Sequence, residues 1–161
     1  MANIPEKTLE DLEYLEVLRQ CADFAITSIG KEFILALKPI NDDLLVLNNL
    51  QMTSEYCASF DNENRIPNHG FEDISPYFTL LKIENSVLEQ ETFRNLARNT
   101  ETTNILIRFL GKFKTYYPTL YLLSDQLYEE KEIKPTVDGI IDRFGEVRND
   151  ASDTLYSIRK Q

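Results

Sequence analysis

Catalysis needs nucleophiles, proton carriers or metal ligands at workable spacing, and this chain offers few. Its one histidine, His69, stands in PNHGFED with Asp73 nearby. A histidine beside a carboxylate can act as a general base or phosphoryl acceptor if a second positioned group and a pocket hold the reacting atoms. Among Pro67, Asn68 and Gly70, a solvated turn histidine is the favoured reading. Cys21 and Cys57 lie far apart without a CxxC, which points to two reduced, partly buried thiols rather than a disulfide or zinc site. One histidine cannot complete a zinc set, and no Glu-x-x-His pair exists for a di-iron bundle. Glu129, Glu130 and Glu132 lack the regular oxygen spacing of a calcium loop and read as a solvated linker. No G-x-x-x-x-G-K-[ST], G-x-G-x-x-G or G-x-S-x-G occurs. The sequence therefore assigns the chain no catalytic, cofactor-binding or metal residue.

One window carries cations among aromatics: NILIRFLGKFKTYY (104–117), with Arg108, Lys112, Lys114 and no acid. Cations and aromatic rings together can neutralise and stack nucleic acid, so these three are the candidate nucleic-acid contacts. The competing reading places the aromatics in a core, because they recur at helical spacing, with the lysines reaching past them to water. Phe144-Gly145-Glu146 spells the Phe-x-Glu of mismatch readers, but three letters with a wildcard match easily, and here they read as hairpin residues. The whole-chain charge of −10 opposes general nucleic-acid binding, which draws its affinity from phosphate neutralisation.

The elements that must position these residues read as helices. The 161 residues suffice for one domain, which would bury roughly 68–70% of its unfolded-state surface. Five Gly and six Pro leave few turn signals and favour long helices. Thr8 with Asp11 resembles a capping arrangement ahead of Leu9, Leu12, Leu15, Leu18, Cys21, Ala22 and Ala25, predicting a helix of about four turns. A second helix spans Ser28 to Leu37, closed by Lys38-Pro39. A third, over 42–60, is capped by Asn41 and carries Leu44, Leu47, Leu50, Ser54, Cys57 and Ala58 on one strip. DNENRIPNHG (61–70) is a loop, and Asp73 with Pro76 opens a short helix. From Leu88 to Tyr117 the pattern predicts one helix of about thirty residues, a rod of roughly 45 Å. Leu120 to Leu127 forms another piece. EEKEIKPT (129–136) separates it from VDGIIDRFGEV, where Gly145 turns a small β-hairpin over 141–148. Asp150 or Asp153 caps a last helix in NDASDTLYSIRKQ, which carries no stop signal and reads either as a frayed terminus, with Arg159 and Lys160 suiting the helix dipole, or as the start of a longer rod that continues past Gln161. The expected fold is all-α: a single elongated helical bundle over 1–161. Apolar runs fall short of the roughly 18 residues of a membrane span, and MANIPEKTLEDLE lacks signal-peptide character, so a cytoplasmic protein without membrane contact is expected.

Taken in order, VLRQCADFAITSIGKEFILALKP (17–39), GFEDISPYFTLLKIENSVLEQETFRNLARNT (70–100) and IDRFGEVRNDASDTLYSIRKQ (141–161) resemble the N-terminal third of the bacterial type-two MutS proteins. The matching positions are Gly30, Lys31, Glu32, Leu37 and Pro39, then Asp73, Ile74, Leu88 and Glu91. The specific cluster is Ile141, Asp142, Gly145, Glu146, Val147, Ala151, Ser152, Leu155, Ile158 and Arg159. The chain departs from the pattern at Asn149-Asp150, where an acid and a serine are usual, and at Asp153, where proline is frequent.

The resemblance implies the first half of a helical core and lever region, a fragment whose ATPase and Smr nuclease domains lie outside residues 1–161. The chain itself would be non-catalytic. ATP and Mg²⁺ belong to the full-length family, and the expected partners are the rest of the MutS-like chain, a second copy, and DNA or the ribosome through the whole protein. Its task would be to carry ATPase motion to a nucleic-acid clamp as rigid rotation. The alternative is a self-contained acidic helical adaptor that holds a partner protein in an apolar groove.

Overall fold

A computed structural model describes residues 4–61 and 63–160. In chain order its helices are α1 (Glu6–Asp11), α2 (Tyr14–Ala22), α3 (Ser28–Leu35), α4 (Asp43–Ala58), α5 (Ser75–Leu80), α6 (Gln90–Lys112), α7 (Pro118–Ser124), α8 (Ile133–Ile140) and α9 (Asp153–Arg159). Among the described residues there is no β-strand, so the fold is all-α. The chain divides into two compact units, one of residues 1–70 and 106–127, the other of 71–105 and 128–161.

The expected four-turn first helix is instead two. Glu13 takes a left-handed backbone, φ 52°, between α1 and α2. Leucines spaced by three drift about 60° per step around a 3.6-residue helix, so Leu9, Leu12, Leu15 and Leu18 cannot share one face of an unbroken helix. The break resets the face, and α2 buries Leu18 and Ala22 while Leu12 stays exposed. Both cysteines are exposed free thiols rather than partly buried ones. The caps of α4 and α9 shift by a residue or two: Asp42 accepts the Leu45 N–H at 3.0 Å, and Ser152 accepts that of Leu155 at 3.2 Å.

The largest correction in the first unit concerns α4. Its expected apolar strip is exposed, Leu44 at 80% and Leu47 and Leu50 at 62% and 60%, while Glu55 and Ser59 are buried. What α4 buries is polar. α7 begins at Pro118 with no side-chain cap of its own, and the Glu55 carboxylate supplies one from α4. It accepts the Thr119 N–H at 3.1 and 3.0 Å and the Leu120 N–H at 3.0 Å, with the Gln51 amide donating at 3.2 Å. A helix start leaves such N–H groups unpaired, and its dipole favours negative charge there. Burial alone would raise the Glu55 pKa, but the donors from Leu120, Thr119 and Gln51 outweigh it and hold the carboxyl below its ordinary value. The adjoining Tyr117 is almost wholly buried, and its hydroxyl donates to the Asn64 carbonyl at 2.6 Å.

α6 is 23 residues long, shorter than the expected thirty. It gives way to turns over 113–117 because Pro118 excludes a helical conformation at Tyr117, which sits at φ −126°, ψ 57°. In the second unit its side chains pair with loop backbone as a neighbouring strand would. Asn99 accepts the Glu72 N–H at 3.2 Å and donates to the Glu72 carbonyl at 2.8 Å. Asn104 does the same for Glu130, accepting its N–H at 3.0 Å and donating to its carbonyl.

The polar run 129–136 is only partly a linker, since α8 starts inside it. Glu130 caps that start by accepting the N–H groups of Glu132 and Ile133 at 2.7 and 3.4 Å. Pro135 falls in the first turn, where no N–H is needed. Ile133, Val137 and Ile141 then recur every fourth residue and pack with Ala97 of α6. The expected hairpin over 141–148 shrinks to one antiparallel bridge, Ile141 to Val147.

Replacing Glu55 by Gln should lower unfolding stability by about 1–2 kcal/mol at neutral pH, because hydrogen bonds to a buried charge are the stronger kind. The Glu55 carboxyl has a lower pKa folded than unfolded, so this contribution is complete above the ordinary carboxylate range and is lost as pH falls through the lower folded value. Urea unfolding of both chains at descending pH should show their difference shrinking in acid.

Candidate functional site

The three sequence-predicted cations are all exposed. Arg108 and Lys112 stand four apart on α6 and so share a face, whereas Lys114 lies beyond its last residue. The aromatics between them mainly pack on one another. Phe109 packs on Phe113 at 4.8 Å between ring centroids and stacks on buried Tyr117 at 5.9 Å. Lys112 lies over the Phe113 ring at 5.0 Å, and Tyr116 is the open ring of the window, 62% exposed.

His69 is a fastener rather than a free turn residue. Its Nδ1 lies 2.9 Å from the Pro67 carbonyl, which can only accept, so Nδ1 carries the proton and Nε2 accepts from the Tyr56 hydroxyl at 3.2 Å. Its ring also meets the Tyr56 ring edge-on at 5.6 Å. Asp73 is committed to the start of α5, where it accepts the Ser75 N–H at 2.9 Å. The glutamate run has the capping role described above, and no group of His, Cys, Asp or Glu among the described residues could hold a metal ion.

Sequence reasoning missed a basic groove in the second unit. α6 brings Arg94 and Arg98 to it, α8 brings Lys134, and the following turn adds Arg143, Phe144 and Arg148 around about 610 Å³. Arg94 and Arg98 are one helical turn apart, and that i, i+4 pair was the available signal.

The turn is built on Asp142. Its carboxylate accepts the Phe144 and Glu146 N–H groups at 2.8 and 3.0 Å, and its carbonyl accepts that of Gly145 at 3.1 Å. The bond from Glu146 does most to hold the Asp142 pKa below its ordinary value; partial burial opposes it, while Phe144, Gly145 and the Arg143 charge assist. Gly145 has φ +93°, and a Cβ there would lie 2.8 Å from Nη1 of Arg94.

Three of the cations have carboxylate partners. Arg94 meets Glu91 at 2.8 Å, and Lys134 meets Asp138 at 2.7 Å and Glu101 at 3.7 Å. Arg148 binds both Asp150 oxygens at 3.0 and 3.1 Å. The Asp138 bond is the main cause raising the Lys134 pKa, and the Asp150 bond does the same for Arg148. From α9, Arg159 donates to the Val147 carbonyl at 2.9 Å and to Asn149 at 2.6 Å, tying that helix to the turn.

This turn and α9 fall in the segment that carries the specific MutS resemblance, and comparison with known proteins points the same way. The chain is 29% identical over 155 residues to the protein named Endonuclease MutS2 of Symbiobacterium thermophilum. It is 30% identical over 160 residues to that of Leuconostoc mesenteroides and 31% over 157 to that of Geobacillus kaustophilus. Each match covers 96% of this chain and 19–20% of the relative.

The similarity supports a relation to the MutS family. The chain spans about a fifth of the length of the curated MutS2 relatives it matches. No protein-family model matches it, and no solved structure does. No described helix is long and apolar enough to cross a membrane.

Gly145→Ala should cost about 1–3 kcal/mol, because a side chain there is strained and meets Arg94. Gly139→Ala, within α8 and in open space, should instead stabilise by about 1 kcal/mol. Urea unfolding of the two variants checks the opposite signs.

Proposed function

We propose that this chain is a non-catalytic helical core segment of a MutS-type ATPase, a lever that passes motion between the ATPase and a nucleic-acid clamp acting on branched DNA or ribosomes. The observation that carries this reading is similarity to MutS2 proteins along 96% of the chain. The exposed Leu44, Leu47 and Leu50 of α4 support it too, since apolar side chains left open on a helix suit cover by another part of an assembly. ATP and Mg²⁺ would be held by the rest of the MutS-like chain. Arg108 and Lys112 remain candidate nucleic-acid contacts, with Lys114 and Tyr116 beside them. A second copy is a candidate partner.

A second reading, an acidic adaptor for a partner protein, is favoured by an apolar groove of about 830 Å³ among α1 to α4, lined by Leu9, Leu15, Leu18, Leu35 and Leu45. Co-expression with a MutS2-type protein lacking the matching region separates the two. The lever reading expects the chain to co-purify with it and to change its ATP turnover, with no turnover by the chain alone. ATP hydrolysis by the purified chain contradicts both readings, and failure to associate favours the adaptor.

A further inference from the structure

We propose that the groove formed by α6, α8 and the 141–148 turn binds single-stranded nucleic acid, with phosphates on Arg98 and Arg143 and an unpaired base stacked on Phe144. This goes beyond the lever reading, which requires no nucleic-acid contact from this unit.

Charge supplies the first argument. In a chain of net charge −10 with 17 basic residues, five of them line this one groove. The carboxylates present are largely occupied. Glu91, Asp138, Glu101 and Asp150 hold Arg94, Lys134 and Arg148, and Asp142 accepts N–H groups of its own turn. Arg98 and Arg143 are exposed and, among the described residues, neither has a hydrogen bond to a carboxylate. Arg143 lies near enough to Asp142 to lower its pKa, which leaves a guanidinium fork that a phosphate can still bridge.

The ring adds to the charge. Arg143 sits 4.6 Å from the centroid of Phe144, yet Phe144 is 71% exposed, so one face carries the guanidinium and the rest is open. An exposed ring beside uncommitted cations is the platform on which single strands stack. A paired base offers no free face to it. An acidic peptide would use the arginines and leave the ring idle.

Fluorescence anisotropy of a labelled oligothymidylate, titrated with the 161-residue chain at low salt, tests this. Binding is expected to weaken with salt at a log–log slope of about −1.4, from two released counterions at about 0.7 each. Arg98→Glu with Arg143→Glu should weaken it at least about 10-fold, and Phe144→Ala at least about 5-fold, with Phe144→Trp restoring it. Lys7→Glu, on exposed α1, should change it less than about 2-fold. Arg98→Gln with Arg143→Gln serves if the reversals unfold, as judged by circular dichroism.

Absence of binding overturns the proposal, as does equal loss from Lys7→Glu. Loss confined to Lys112→Glu with Lys114→Glu would move the contact to the 104–117 window and overturn it while leaving the lever reading intact. Phe144→Ala without effect, or equal affinity for duplex, would reject the stacked strand.

Discussion

A single buried carboxylate organises the first unit. Glu55 leaves α4, is 5% exposed, and ends on the N–H groups that α7 cannot satisfy for itself. A buried charge is costly unless paired, and a helix start is costly unless capped; each removes the other's penalty. In α4, Glu55 and Ser59, one turn apart near its end, are what the helix buries, while Leu44, Leu47 and Leu50 nearer its start stay open. The second unit uses the same device in neutral form, with Asn99 and Asn104 closing on the backbones of Glu72 and Glu130. Polar pins of this kind act across long sequence separations, and beside them the described apolar core is small: Ala97, Val137 and Ile141 in one cluster, Leu18 and Ala22 in another place.

Helix content was legible because it rests on local signals: scarce glycine and proline, apolar spacing, and side chains that cap nearby N–H groups. Gly145 was legible as a turn for the same reason. The direction of α4 was not, because periodicity locates an apolar strip without saying whether anything covers it. The break at Glu13 hides in an ordinary residue with a left-handed backbone. α8 hides behind charge, since EEKEIKPT reads as solvated until Glu130 is seen to cap it and Ile133, Val137 and Ile141 are aligned. The basic groove assembles from residues some fifty positions apart, such as Arg94 and Arg148, which no local window joins.

The candidate window was legible as chemistry but not as geometry. Its rings serve packing through Phe109, Phe113 and Tyr117, while its cations stay outside. Around Phe144, too, an open ring stands beside outward cations. On the proposed reading of the groove, an acidic chain keeps net repulsion from nucleic acid at long range and concentrates attraction at one place, since screening confines exposed charges to about a Debye length, near 10 Å at ordinary salt.

The central claim is that the α7 start is held by the Glu55 carboxylate and not by local sequence. Amide hydrogen exchange of Thr119 and Leu120 tests it most directly, because their N–H groups bond to that carboxylate. The account predicts protection comparable to the middle of α4. Exchange at the rate of an open loop, with α4 still protected, would contradict it.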